Sequence, residues 1–393
     1  MNDCFVKNIN IKKVRHLENI NIDMGDEKKH LILTGKNGCG KTSVVENLDK
    51  YFRMSCNKLN NSENFFKFAD KSHTPEIEKL LFDNFYLQFN VDNIFEMIKK
   101  DNSDFIYAYF PALRINKTNF VNGIDKLNFS KDVGSKLNDK FLQYIVNLKA
   151  EKSFARDDNE MDTVERIDIW FENFEKILKD IFNDDTLYLV FDRKEYDFKI
   201  HRSNREPFDF NSLSSGYSAI IDIISEIILK IEITNSKNFD CQGIVIIDEL
   251  ETHLHVELQR NILSLLTTFF PNIQFIITTH SPFVLSTLSD AIIYDLERKE
   301  LVEGERLVNA SYSQIVKNYF QVDSEFSRVL ELDIKKYEDL IELFEKDELN
   351  IEQEQELLDL DIKLDKISPM LSDEIYLKFK ELKDRITDDD QDK

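Results

Sequence analysis

The sequence predicts an α/β fold in which buried parallel strands bring polar residues to one edge of a sheet. Two short apolar runs, residues 243–248 and 274–278, have the character of buried parallel strands. A third, residues 30–34, leads into a glycine-rich loop and then an amphipathic helix. Between these runs, apolar residues recur at spacings of three and four from residue 120 to about residue 180, which predicts a helical insert.

The other elements follow from the spacing of apolar residues and from turn residues. Alternation over residues 4–23 predicts two strands, and residues 43–52 predict the helix after the glycine-rich loop. Residues 54–71 are polar and predict a loop. We further expect strands at 85–89 and 104–110, hairpins at 187–201 and 291–308, and helices at 213–233, 256–269, 311–320 and 324–386, the last broken at Ser368-Pro369.

The chain is long for a single core, so we expect it to be divided. Residues 1–54 and 186–320 form the two parts of an α/β head. Residues 55–185 form a mixed and then helical insert, and residues 321–393 form an acidic helical C-terminal extension.

Composition limits the functional classes. The net charge of −23 argues against broad nucleic-acid affinity, although residues 321–393, with 24 acidic and 11 basic side chains, hold −13 of it. A basic groove elsewhere is therefore still possible, and DNA or RNA stays open as a partner. The N-terminus has no apolar signal core, the longest apolar stretch is interrupted by charges, and the four cysteines lack metal-ligand spacing. We expect a cytoplasmic protein with no membrane partner.

The glycine-rich loop GKNGCGKTS matches the phosphate-binding pattern G-x-x-x-x-G-K-[ST] between a strand and a helix. Its glycines allow backbone N–H groups to point inward, where the helix N-terminus adds positive potential. Lys41 is expected to reach the β- and γ-phosphates of ATP, and the Thr42 hydroxyl to bind Mg²⁺. The predicted ATP-binding residues are Gly35, Lys36, Asn37, Gly38, Cys39, Gly40, Lys41, Thr42 and Ser43.

Two further strand ends carry candidate catalytic groups. Asp248 and Glu249 follow a run of four apolar residues, so Asp248 is expected to complete the Mg²⁺ shell and Glu249 to polarise the attacking water. His280 ends the next buried run, where it can contact the γ-phosphate. Taken alone, an acidic strand end or a lone histidine is often structural; the combination with the phosphate-binding loop favours catalysis.

The turn Leu213-Ser214-Ser215-Gly216 opens a helix just upstream of the acidic strand. Such a turn offers free N–H groups and a helix dipole to an anion. The alternative is a simple N-cap by Ser214 or Ser215, which explains the serines but not Gly216.

The order of these motifs, from the loop through LSSGY and IVIIDE to TTHSPFVL, resembles the ABC-type ATPase heads of the SMC, RecF and OLD families. The segments IIDELETHLHVELQRNILSLL and QFIITTHSP are most similar in sequence to PtuA-like ATPases of Septu systems and their retron-associated relatives. The resemblance covers residues 4–53 and 187–320, about half of the chain.

The resemblance implies particular site residues. Lys41, Thr42, Asp248, Glu249 and His280 match ATP-site positions, and Asn37 matches a position near the γ-phosphate. Ser214, Ser215 and Gly216 match the signature turn, which acts across a dimer interface on the partner's nucleotide. His255 belongs to the segment 253–255, which matches the segment that lines the dimer interface in these families. No clear glutamine loop is present in the sequence: Gln88 is a weak candidate for it, and Arg114 occupies the region where it is more expected. Tyr217 departs from the Gln or Glu that is common after the signature glycine.

The resemblance also implies a function: a Mg²⁺-dependent ATPase that forms a head-to-head homodimer around ATP and regulates a separate effector. An HNH-type nuclease in bacterial antiphage defence is the expected effector, and no nuclease site is expected in this chain, because residues after 301 lack the strand pattern of a Toprim domain. The alternative is a RecF-like DNA-repair ATPase whose dimerisation gates DNA binding. A pure scaffold is disfavoured because Glu249 and His280 are both present.

Overall fold

The computed structural model describes residues 4–60, 83–91, 105–113, 121–127, 136–203, 205–234, 241–320, 328–346, 348–367, 376–377 and 379–384. The chain divides into two compact units, Met1–Phe320 and Gln321–Lys393.

A six-stranded sheet forms the centre of the first unit, and its order is β12-β11-β3-β10-β9-β5. Five of its strands are parallel, and only β12 is antiparallel to its neighbour. The bounds are β3 His30–Thr34, β5 Phe105–Phe110, β9 Gln242–Ile247, β10 Ile273–Thr278, β11 Ala291–Asp295 and β12 Glu300–Glu303. The predicted buried runs are therefore parallel strands of one sheet, and the α/β prediction is confirmed.

Both faces of this sheet are covered, which is why its strands are apolar throughout. Along β10, Ile277 belongs to the core on the side of the helical insert, whereas Ile276 faces the core that includes the helix after the phosphate-binding loop. The same alternation holds on β9 for Ile247 and Ile246. The sheet is thus the partition between two hydrophobic cores.

A second sheet, of order β2-β1-β4, consists of β1 Val6–Val14, β2 Leu17–Asp23 and β4 Phe85–Phe89. Gln274 of the central sheet ties this sheet in place, although its side chain is fully buried. Its amide accepts a hydrogen bond from Val6 N (2.8 Å) and donates to Val6 O (3.0 Å) and Lys29 O (2.8 Å). A buried amide with three satisfied bonds fixes the register between the two sheets.

A third, small sheet contains β6 Tyr188–Asp192, β7 Asp197–His201 and β8 Phe208–Asp209. The predicted hairpin around Arg193 and Lys194 is present as β6 and β7. The helices are α1 Lys41–Asn60, α2 Phe141–Asp157, α3 Met161–Phe182, α4 Ser215–Ile233, α5 Val256–Phe269, α6 Pro282–Leu285, α7 Gly304–Val308, α8 Tyr312–Tyr319, α9 Arg328–Glu345 and α10 Ile351–Ile367. None of the helices in the described part of the chain combines the length and apolar character needed to cross a membrane.

Three predicted boundaries are wrong. Helix α1 continues to Asn60, past the predicted end at residue 52, because Phe52 and Met54 bury their side chains against the second core. The hairpin ends at Glu303, and residues 304–308 form α7, whose Leu307 is buried. The long C-terminal helix is broken between α9 and α10, and the two helices pack their apolar stripes on each other. The predicted break at residues 368–369 lies outside the described residues.

The burial of His30, the first residue of β3, should make the stability of the protein depend on pH. His30 is 5% exposed, and its Nδ1 accepts a hydrogen bond from Phe275 N at 3.0 Å. Burial lowers the pKa of His30 to about 4, with Asp290 opposing this effect and Lys28 adding to it. The unfolded chain, with a histidine pKa of about 6.5, therefore binds the proton first as the pH falls.

The free energy of unfolding should accordingly fall between about pH 6.5 and pH 4, by up to about 3 kcal/mol from this one group. The variant His30→Asn keeps an acceptor near Phe275 N but cannot titrate, so its stability should change less over this window. Denaturant unfolding of the variant at pH 7.5 and pH 5 measures the difference, with His201→Asn on β7 as the control. Equal pH dependence of His30→Asn and the wild type would contradict the assignment.

Candidate functional site

Three neighbouring parallel strands, β3, β10 and β9, end at the same edge of the central sheet. Leu33 lies opposite Thr278, and Ile277 lies opposite Ile247. The residues that follow these positions are the phosphate-binding loop, Thr279-His280 and Asp248-Glu249. Because parallel strands deliver their carboxyl ends together, the three predicted motifs meet at one edge.

The loop between β3 and α1 has the backbone that its glycines permit. Gly35, Gly38 and Gly40 have φ angles of 129°, 84° and 105°. A Cβ on Gly40 would lie 2.8 Å from Leu17 Cδ1 on the neighbouring sheet, so Leu17 would have to shift for alanine to fit there. Helix α1 begins at Lys41, directly after this loop.

Lys41 lies inside the curl of the loop and is 5% exposed. Its Nζ donates to Gly35 O (2.9 Å) and Lys36 O (3.2 Å). Burial lowers the pKa of Lys41, whereas Cys39 and Glu249 act in the opposite direction. A cation held among backbone groups at a helix N-terminus can bind a phosphate.

The rest of the predicted loop residues divide into exposed and buried ones. Lys36, Asn37, Gly38 and Thr42 are exposed, Cys39 and Gly40 are half-buried, and Gly35 and Ser43 are buried. The backbone oxygen of Ser43 accepts a hydrogen bond from Asn47 Nδ2 at 2.7 Å inside α1.

Asp248 is 1% exposed and lies beside the hydroxyl predicted to share its metal. Its Oδ1 accepts hydrogen bonds from Thr278 Oγ1 at 2.6 Å and from Thr42 Oγ1 at 3.4 Å. Carboxylate and hydroxyl oxygens suit Mg²⁺, which keeps much of its shell in water and substrate phosphate. Among the described residues, no group of three or more His, Cys, Asp and Glu side chains is arranged to hold a metal.

Glu249 has a left-handed backbone, with a φ angle of 47°. The conformation is fixed from both sides: its N–H donates to Thr278 Oγ1 (2.7 Å), and its Oε2 accepts from Thr252 Oγ1 (3.4 Å). A glutamate in this region of backbone space is uncommon and persists where neighbouring contacts enforce it.

His280 is half-buried near the same groups. Burial lowers its pKa, and Lys41 lowers it further, whereas Glu249 and Asp248 act in the opposite direction. The shared edge of β3, β10 and β9 brings His280 together with Lys41, Asp248 and Glu249. A neutral imidazole at this position can donate one hydrogen bond to an anion.

Glu251 was not selected from the sequence, although it stands two residues after Glu249. Its Oε2 accepts a hydrogen bond from Thr279 Oγ1 at 2.7 Å, and its Oε1 accepts one from the backbone N–H of His280. Burial raises its pKa, and the hydrogen bond from His280 is the largest effect that opposes this. The acidic pattern E-x-E after the strand is the only signal that could have indicated it.

Two more contacts of the loop were missed. His16 Nε2 lies 3.0 Å from Cys39 O, which holds the turn between β1 and β2 against the loop. Lys36 pairs with Glu297 at 3.3 Å, and the buried Asp295 accepts from the backbone N–H groups of Glu297 and Arg298 at 2.9 and 3.1 Å. His16 and Glu297 are 23 and 261 residues away in sequence from the loop residues that they contact.

The signature turn lies at the start of α4. Ser214 occupies the N-cap position, but its side chain makes no capping hydrogen bond, and both Ser214 and Ser215 are exposed. Gly216 is buried against the segment 253–255: a side chain there would lie 3.0 Å from His253 O. A cleft between this turn and the segment 253–258 exposes the helix N-terminus, so the simple N-cap by Ser214 does not account for the turn.

The weaker candidates have different positions. Gln88 lies exposed on β4 in the second sheet, where it pairs with Asn8, and not at the shared strand ends. His255 is exposed at the N-cap position of α5 and lines the cleft beside the signature turn. Arg114 lies outside the described residues. Tyr217 stacks on Phe182 at a centroid distance of 4.3 Å, so an aromatic residue at this position serves packing.

The chain is similar to known proteins over most of its length. The family model described as "AAA domain, putative AbiEii toxin, Type IV TA system" matches residues 136–286. The "Septu protein PtuA" of Bacillus thuringiensis is 27% identical over an alignment of 373 positions, gaps included, that covers 85% of this chain and 87% of that protein. The "Retron Ec83 probable ATPase" of Escherichia coli is 23% identical over an alignment of 413 positions, gaps included, that covers 81% of this chain and 76% of that protein.

A second PtuA, from Bacillus mycoides, is 33% identical over 141 residues, but these are 35% of this chain and only 19% of that protein. Among solved structures, the SMC head domain from Thermotoga maritima aligns with 76% of this chain and 96% of its own, at 14% identity and a TM-score of 0.40. The resemblance to PtuA-like and retron-associated proteins is confirmed by the sequence relatives.

Proposed function

We propose that this chain, an ABC-type P-loop ATPase of the SMC/RecF/OLD-like superfamily and a relative of the PtuA and retron ATPases, hydrolyses ATP with Mg²⁺ in a dimer. One observation carries the proposal: the phosphate-binding loop, Asp248-Glu249 and His280 meet at the ends of three neighbouring parallel strands. Each group there has the chemistry that one part of phosphoryl transfer needs.

Each residue of this site has its own role in ATP hydrolysis. Lys41 and the N–H groups of the loop bind and orient the β- and γ-phosphates. Thr42 and Asp248 would hold Mg²⁺, which when bound offsets the charge of the phosphate oxygens. Glu249 accepts a hydrogen bond from the attacking water and turns its lone pair towards the γ-phosphate. His280 donates a hydrogen bond to the γ-phosphate and thereby distinguishes ATP from ADP.

A composite site between two protomers follows from the signature turn. Ser214 and Ser215 expose a helix N-terminus in a cleft, and Gly216 packs against residues 253, 254 and 258. An anion site without a phosphate of its own is suited to the nucleotide of a second copy. The neighbouring His255 would then lie in the same interface.

This arrangement predicts rescue between two inactive variants. Ser214→Arg blocks the signature turn but keeps Lys41, whereas Lys41→Ala removes phosphate binding but keeps the turn. In a mixed dimer, the intact loop of the first variant meets the intact turn of the second, so one of two sites is complete. ATPase activity of the mixture should exceed that of either variant alone, towards a quarter of the wild-type rate for random mixing.

Heterodimer formation must be shown separately, by differential tags and co-purification. Mixing Ser214→Arg with the double variant Ser214→Arg/Lys41→Ala serves as the control, because no complete site can form. Failure of rescue in a proven heterodimer would contradict the composite site.

The names of the relatives support a role in antiphage defence with a separate effector, and we propose an HNH-type nuclease as that effector. Purification of the tagged chain from its native host, followed by mass spectrometry and a nuclease assay, tests this. Copurification of a nuclease whose activity depends on this chain supports the proposal. An ATP-gated DNA complex without any effector would instead indicate the RecF-like alternative.

A further inference from the structure

Two side chains link the segment after β9 to the end of β10. Glu251 takes hydrogen bonds from Thr279 Oγ1 (2.7 Å) and from the backbone N–H of His280. Both donors belong to the tripeptide that follows β10, and their acceptor lies on the segment that connects Glu249 to α5. The mechanism proposed above gives Glu251 no direct contact with ATP.

Gln259 forms a second link between the same two segments. Its Nε2 donates to Leu254 O (2.8 Å), and its Oε1 accepts from Ser281 Oγ (2.7 Å). Ser281 in turn caps α6 by accepting from the N–H groups of Phe283 and Val284. The Gln259 side chain therefore links residue 254 to residue 281, and the Glu251 side chain links its own segment to residues 279 and 280.

The linked segment also contacts the signature turn. A Cβ on Gly216 would lie 3.0 Å from His253 O and 3.8 Å from Leu254 Cα. Because the two segments are packed this closely, a movement of residues 253–254 requires a movement of the start of α4, and the reverse also holds. Contacts thus run without a gap from the signature turn through residues 253–254 to Gln259 and Ser281, and the Glu251 carboxylate connects the same segment to His280.

We propose that Glu251 is a positioning residue that fixes His280 relative to the segment 251–255, so that the signature turn and His280 of one protomer shift together. The proposal rests on the proposed ATPase function. In a composite dimer, the signature turn serves the partner's ATP while His280 serves the protomer's own ATP. Glu251 would then couple the state of one nucleotide site to that of the other.

The first test measures the backbone without any nucleotide. Hydrogen exchange of the full chain, followed by mass spectrometry of peptides that cover residues 278–285, is compared for the wild type, Glu251→Gln and Glu251→Ala. Exchange at the His280 amide should be fastest in Glu251→Ala, by about 10-fold, and intermediate in Glu251→Gln, because a glutamine oxygen can still accept one of the two bonds. Glu305→Gln, an exposed glutamate on α7, is the matched control.

The second test is a double-mutant cycle with ATPase kinetics. Glu251→Ala should lower kcat by about 10- to 10²-fold and change KM by less than about threefold, since it displaces His280 and leaves the phosphate-binding loop in place. In a His280→Ala background, the same change should lower kcat by less than about threefold, because the residue through which it acts is gone. Glu251→Gln should restore part of the rate.

The outcomes separate this proposal from the function on which it rests. If Glu251→Ala lowers kcat equally in the wild-type and His280→Ala backgrounds, Glu251 does not act through His280. If exchange over residues 278–285 is unchanged in a folded Glu251→Ala protein, the positioning contact is absent in solution and the proposal fails. If the wild type hydrolyses no ATP, the proposed function fails, and the exchange measurement still decides whether Glu251 holds His280.

Discussion

Lys41→Ala is expected to abolish ATP binding. The Lys41 ammonium lies inside the loop within 2.9 Å of Gly35 O, where it can contact a phosphate bound by the loop. Its removal takes away charge-assisted hydrogen bonds to phosphate, so the Kd for ATP should rise by about 10²-fold or more. Calorimetry or binding of a fluorescent ATP analogue in the presence of Mg²⁺ measures the change.

The control is Lys50→Ala, an exposed lysine later on α1, which removes the same charge from the same helix. It should leave the Kd within about twofold. Circular dichroism of both variants shows whether α1 is intact. Wild-type affinity in a folded Lys41→Ala protein would mean that the loop does not bind the phosphates in the proposed way.

Glu249→Gln is expected to keep ATP binding and to slow hydrolysis by about 10²-fold or more. Glutamine has the size of glutamate and tolerates the same left-handed backbone about equally well, so the turn after β9 should persist. It cannot accept the proton of the attacking water, and the lost step is therefore chemical. Single-turnover phosphate release, measured beside the Kd for ATP, separates the two quantities.

Glu300→Gln on β12 is the matched control, because it removes an exposed carboxylate at the far edge of the same sheet. It should leave both quantities unchanged. Because the signature turn is proposed to close on ATP, Glu249→Gln should also accumulate ATP-bound dimers in size-exclusion chromatography. A Glu249→Gln protein that hydrolyses ATP at the wild-type rate would show that Glu249 has another role.

The sequence alone determined the elements whose information is local. Gly35, Gly38 and Gly40 supply the positive φ angles of the loop, and the apolar runs before Asp248 and His280 indicate buried parallel strands. Because parallel strands end together, the meeting of the three motifs at one sheet edge follows from the pattern itself. Their order along the chain also indicated the PtuA-like and retron-associated relatives.

Only the tertiary structure decided which side chains hold these groups in place. Gln274 reaches Val6 across 268 residues of sequence, and Lys36 meets Glu297 across 261. A polar residue inside a strand or loop has the same local signature whether it finds such a partner or faces water, so spacing cannot select it. Glu251 shows the same limit near the site, because its acceptor role exists only once β9 and β10 lie side by side. Hydrogen-bond partners of buried polar groups depend on packing between distant segments, and packing is a property of the folded chain.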